Sequence, residues 1–177
     1  MTWQREILDF WFGLESEQHW EVDPALDATC RERFLADWEE QRTRPAEDFL
    51  GSADEALAAI LLFDQMPRNM FRGDPRSFAT DKLARDIAAA AVERGYDAEL
   101  PVDRRVFVYL PFEHSEELAD QDRSVGLFEA LGEDFYADFA RKHRNVIARF
   151  GRFPHRNAVL GRPSTEEEIA FGLEPAW

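Results

Sequence analysis

The chain has one cysteine, four histidines and only twenty-one basic residues against thirty-six acidic ones. A single cysteine cannot close an internal disulfide or build a cysteine-rich zinc site. Cys30 stands at helical spacing with Leu26, Phe34 and Trp38, which assigns it to core packing. The scarcity of positive charge, a formal net of −15, excludes general binding to nucleic acid or membrane surfaces, because phosphate backbones need a broad positive footprint. No apolar run approaches the ~18 residues of a membrane span. The opening Met1-Thr2-Trp3-Gln4-Arg5-Glu6-Ile7 lacks the basic stretch and unbroken apolar core of a signal peptide, so a cytoplasmic location is expected. Also missing are a Gly-x-Ser-x-Gly elbow around Ser115, a phosphate loop and a dinucleotide fingerprint. Serine hydrolase, nucleotide triphosphatase and dehydrogenase chemistry fall away with them, and no cofactor is expected.

What is present is apolar bulk. With 177 residues, 45% hydrophobic, fifteen Phe and five Trp, the chain carries more apolar surface than a disordered one and suits a single domain over 1–177. Trp3, Ile7, Phe10 and Trp11 share one face of a first helix that Gly13 can end. A second follows Asp23-Pro24. A third starts at Ser52 with Glu55 completing a capping box, and Pro67 is expected to end or kink it near Met66. Thr80 caps a fourth, and Pro101 opens another that Pro111 stops, although Val106 to Leu110 also fits a buried strand by propensity. Leu118 to Leu131, Phe135 to Phe150 and a short helix capped by Ser164 or Thr165 complete seven to eight helices, an all-α fold. Trp177 and the aromatic first helix read equally as core or dimer contact.

Charge is distributed unevenly. From Arg141 to Arg162 there are seven basic residues and no carboxylate, which leaves fourteen basic against thirty-six acidic residues elsewhere. Polar groups also interrupt apolar helical stripes: Asp64 beyond Ile60 and Leu61, His114 and Gln121 in line with Leu118 and Val125, and His143 between Phe139 and Val146. Buried polar groups must find hydrogen bonds or one another. Two readings follow. Either His114, His143 and His155 line a cavity beside Arg152 and Arg156, or the same groups form an internal network in which every arginine meets an Asp or Glu.

Four stretches carry a resemblance. They are Asp64-Gln65-Met66-Pro67-Arg68-Asn69-Met70-Phe71-Arg72-Gly73, Leu110-Pro111-Phe112-Glu113-His114-Ser115-Glu116, Asp120-Gln121, and Arg149-Phe150-Gly151-Arg152-Phe153-Pro154-His155-Arg156-Asn157 with Leu160-Gly161-Arg162. Together with Ile7-Leu8-Asp9-Phe10-Trp11-Phe12 and Ser164-Thr165-Glu166-Glu167 they resemble the motifs of the bacterial domain-of-unknown-function family nine-two-four, over nearly the whole chain. The resemblance implies a tetratricopeptide-like array of antiparallel helical hairpins, and with it a helix over Val106 to Leu110. It implies no reaction.

An arginine fork binds carboxylate or phosphate through two hydrogen bonds, and a neighbouring histidine moves protons near neutral pH. The site expected from the residues therefore holds a small anion on Arg152 and Arg156. Arg68, Asn69, Gln121, His143 and Asn157 shape its walls, and His114, Glu116 and His155 do acid–base work if chemistry follows binding. No metal is assigned, since the histidine separations match no compact ligand motif. The alternative is a tetratricopeptide-like module whose basic groove holds an acidic peptide over a structural polar network. Nucleic acid and membrane are excluded as partners on charge.

Overall fold

The computed structural model describes residues 2–173, and among them there is no strand. Trp177 lies outside the described residues. The chain divides into two compact units, one ending at Val108 and the other beginning at Tyr109.

The first unit contains α1 (Trp3–Trp11), α2 (Pro24–Gln41), α3 (Ala53–Ile60), α4 (Met66–Met70), α5 (Asp81–Glu93), the one-turn α6 (Tyr96–Glu99) and the start of α7 (Val102–Glu113). Its core is the set of expected stripes: Ile7 and Trp11, then Leu26, Cys30, Phe34 and Trp38, then Leu57, Ile60 and Leu61, and Ile87 with Ala91, all buried. The Ser52 hydroxyl accepts the Glu55 N–H at 3.2 Å and caps α3, the first half of the expected capping box.

Pro67 does not stop the third helix. Leu61–Gln65 widens into a π-turn and the helix continues as α4 with Pro67 in its first turn. A proline ring removes one N–H and crowds the carbonyl four residues earlier. That carbonyl is Phe63 O, and it accepts instead from the Thr80 hydroxyl at 2.6 Å, while the Trp38 indole donates to Thr80 Oγ1 at 3.1 Å. Thr80 thus stands at the start of α5 but spends its side chain on the bulged helix, not on a cap.

The second unit contains the end of α7, then α8 (Leu118–Leu131), α9 (Asp134–Phe150) and α10 (Glu166–Phe171). Val106 to Leu110 is helical, and α7 runs two residues past Pro111. The Gln121 amide holds the end of α7, donating to Glu113 O at 2.6 Å and Ser115 O at 2.7 Å. α8 and α9 pack as a hairpin about Gly132, which takes the left-handed conformation (φ 82°) that a side chain would strain. Gly151 does the same at the end of α9 (φ 67°) and turns the basic segment back toward the core. There Phe153 packs with Val146 and Ile147. Thr165 and Glu168 form the capping box of α10.

Candidate functional site

The basic segment is tied down by acids from outside it. Arg152 Nε and Nη2 fork onto Glu168 at 2.7 and 2.9 Å, and Nη2 also donates to Pro163 O at 2.9 Å. Arg162 forks onto Glu116 at 2.7 and 2.9 Å, and Glu116 Oε1 also accepts the Phe153 N–H at 2.8 Å. Asn157, 1% exposed, donates to Ser164 Oγ and Glu168 Oε2 and accepts from Arg162 Nε at 3.0 Å. Arg149 meets Glu167, and on α9 Arg141 and Arg144 meet Glu129 and Asp122 on α8. Glu116, Asp122 and Glu129 come from α8 and the turn before it, whereas Glu167 and Glu168 lie five and six residues beyond Arg162. Only the capping position of Glu168 gave a signal, and it pointed to a helix start, not to an arginine.

These contacts set protonation. The Arg152 fork and the Thr165 N–H pull the Glu168 carboxyl down to about 2. Burial opposes ionisation of Glu116, yet the Arg162 fork and the Phe153 N–H hold it below the usual carboxylate range. Glu116 is therefore a fixed anion.

Inside this frame the fully buried Phe153 ring gathers three groups. The Arg156 guanidinium lies over its face, 4.5 Å from the centroid, the His143 ring meets it edge-on at 5.7 Å and 78°, and the His155 ring is tilted against it at 5.5 Å. His143 Nδ1 stands 2.9 Å from Phe139 O and 3.5 Å from Glu113 Oε1. Because a carbonyl only accepts, Nδ1 carries the proton and Nε2 the lone pair. Burial first, then the fields of His114, Arg156 and His155, lower His143 to about 3. Burial and Arg156 lower His155 to about 4. Both rings are neutral at pH 7 beside a cation that is 6% exposed.

His114, Glu116, Gln121, His143, Arg152, His155, Arg156 and Asn157 all fall in the second unit. Arg68 and Asn69 belong to the first. Arg68 forks onto Asp81 at 2.9 and 3.1 Å and approaches Asp64 Oδ1 at 3.3 Å, and the Asn69 amide donates to Cys30 Sγ at 3.6 Å. Glu113 is the group that sequence reasoning missed. It stands next to His114 in the sequence, and the fold sets it against His143, thirty residues away. Among the described residues no three His, Cys, Asp or Glu side chains converge as metal ligands would, and no helix is long and apolar enough to cross a membrane. An open cleft of ≈ 270 Å³ lies elsewhere on the unit, lined by Lys142, Asn145, Val146, Arg149 and Phe171, none of them a site residue expected from the sequence.

Two all-helical units with a buried arginine and histidine cluster in the second define the class of protein. Within that class the chain belongs to the family described as bacterial protein of unknown function (DUF924), whose sequence profile matches residues 7–175. It is similar over 95% of both chains to the solved structure of a protein of unknown function, ATU0120, from Agrobacterium tumefaciens, at 41% identity and a TM-score of 0.90. The curated proteins contain no match.

Proposed function

We propose that the second unit binds a small anion, a carboxylate or a phosphate, at Arg156, with His114, His143 and His155 as the surrounding proton carriers. The observation behind this reading is the Phe153 ring, which carries a buried guanidinium on its face and two imidazoles at its perimeter. The Arg156 guanidinium interacts with the Glu116 carboxylate as well as standing beside the imidazoles, and a charge held in a lower dielectric than water acts more strongly on an anion that reaches it. Arg152 takes part indirectly, because its fork holds Glu168 and through it Asn157. Glu116, fixed as an anion by Arg162, positions the Phe153 backbone, so acid–base work falls to the imidazoles.

The test is thermal unfolding at low salt with inorganic phosphate and a panel of small carboxylates. An anion at 100 times its dissociation constant adds roughly 2.7 kcal/mol. The shift in melting temperature persists in Arg152→Ala, measured from that variant's own lower baseline, and is lost in Arg156→Lys, which keeps the charge and removes the fork. A panel without any shift in the wild type contradicts the reading.

A second reading rests on the separate cleft. Lys142 and Arg149, each over an aromatic ring, line it together with Val146 and Phe171, a lining suited to an acidic peptide with an apolar anchor on a tetratricopeptide-like hairpin. This reading predicts that Lys142→Glu abolishes binding of labelled acidic peptides with the phosphate response unchanged.

A further inference from the structure

We propose that the cleft beside α9 takes a second copy of this chain, in an antiparallel pairing of the two α9 helices about a two-fold axis. Phe135 of each copy enters the cleft of the other, and Asp138 of each meets Lys142 of the other. The inference rests on the second reading above, in which the cleft holds an acidic segment with an apolar anchor, and it names the partner.

Phe135, Asp138, Phe139, Lys142, Asn145, Val146 and Arg149 recur at heptad spacing through α9, so they share one face of the helix along its whole length. Ala137, Ala140, His143 and Ile147, which are buried, belong to the other side. Along the shared face Val146 is buried and Phe139 half-buried, while the other five residues are exposed, Phe135 at 61%. At the N-terminal end the Phe135 ring touches Tyr136 and Phe139, at 5.3 and 4.8 Å, and the rest of it meets water. At the C-terminal end the same face opens into the cleft of ≈ 270 Å³ lined by Lys142, Asn145, Val146, Arg149 and Phe171. A cavity of about 150 Å³ accepts a benzene ring, so the cleft has room for a phenylalanine side chain. One face thus carries both an anchor and a socket for it, and a two-fold contact requires a patch that complements itself in this way.

Charge follows the same pattern. Asp134 and Asp138 lie toward the start of α9 and Lys142 and Arg149 toward its end, so the face is acidic at one end and basic at the other. At roughly 100° per residue the polar groups Asp134, Asp138, Asn145 and Arg149 run along one edge of the face, and Phe139, Val146 and Phe150 along the opposite edge. A two-fold axis between antiparallel helices sets like edge against like edge and opposite ends together. With that axis beside Ala140, positions equally far on either side of it stand opposite one another: Phe135 faces Asn145 and Val146 at the cleft, and Asp138 faces Lys142, each contact occurring twice. The carboxylate of Asp138 already meets Arg141 at 2.7 Å, and its side chain, 67% exposed, has room for a second donor. Over most of their surfaces two copies of net charge −15 repel each other, which confines association to a face that carries both signs. A contact built on one helix of seventeen residues, about 25 Å long, is small for a permanent interface, so the dimer is reversible and of micromolar strength.

The measurement is sedimentation equilibrium of the full chain at about 0.15 M salt, where a Debye length of about 8 Å leaves the contact pairs to act. The wild type passes from monomer to dimer across the micromolar range, and Phe135→Ala raises the dissociation constant at least about tenfold. Lys142→Glu and Asp138→Lys each set like charges opposite one another and are monomeric, with circular dichroism showing both folded. Mixed in equal amounts the two variants form a dimer, because each supplies at both crossing points the charge that the other needs. The doubly exchanged chain pairs with itself. A variant that only disturbed its own fold would not be rescued by mixing. A wild type that stays monomeric, a dimer indifferent to Phe135→Ala and to both charge exchanges, or single variants that remain monomeric on mixing overturns the inference. A labelled acidic peptide with a single Phe that then still saturates the wild type, and not Lys142→Glu, leaves the cleft reading standing. A monomeric wild type that binds no such peptide overturns the two together.

Discussion

At Glu168 one carboxylate closes a helix and holds an arginine. Oε2 accepts the Thr165 N–H at 2.7 Å and the Asn157 amide at 3.2 Å, while Oε1 takes Arg152 Nε at 2.7 Å. Glu116 has the same character on the other side of the segment. Glu116→Gln keeps the shape and removes the charge from the Arg162 fork, so it should cost about 1–3 kcal/mol in denaturant unfolding, a charge-assisted pair being worth more than a neutral one. A loss below 0.5 kcal/mol, the ordinary range for exposed ion pairs, would show that the fork is solvated. Much of this scale was legible as residue types: the acid-free run from Arg141 to Arg162 and the inward His143 mark the site in the sequence. Their partners were not legible, because Glu113, Glu116 and Glu168 come from other segments and only the fold sets them against His143, Arg162 and Arg152. Arg152 illustrates the gap. Composition gave it an anion to hold, and Glu168 and Pro163 O occupy two of its nitrogens.

The helices followed from their apolar stripes, and the two interior prolines show where that reading stops. Pro67 was expected to end or kink the third helix near Met66, and Pro111 to stop the helix before it, since each removes a backbone donor. The chain instead stays helical through both: Thr80 takes Phe63 O, the carbonyl that Pro67 crowds, and beyond Pro111 the Gln121 amide holds the last carbonyls of α7. Thr80→Val therefore tests the element. It strips a hydroxyl that serves Phe63 O and the Trp38 indole at once, leaving two buried groups unsatisfied, and should destabilise the protein by about 2–4 kcal/mol in urea unfolding. A neutral Thr80→Val would mean that the π-turn stands without it. The strand and helix alternatives for Val106 to Leu110 were inseparable by propensity; the resemblance implied a helix, and the five residues, all buried, lie within α7.

The molecule as a whole carries a net charge of −15, and Arg156 in its second unit is a buried cation. Such a field repels anions from most of the surface, so any anion that binds does so through local contacts, and its affinity reports the site and not the surroundings. The most direct test of the account is calorimetric titration of inorganic phosphate, at low ionic strength, into the wild type and Arg156→Lys, with circular dichroism confirming that both are folded. The account predicts saturable one-to-one binding to the wild type and binding at least about tenfold weaker in the variant, the equivalent of roughly 1.4 kcal/mol for a lost fork. Binding of equal strength in the two proteins, or no saturable heat in the wild type, would contradict it.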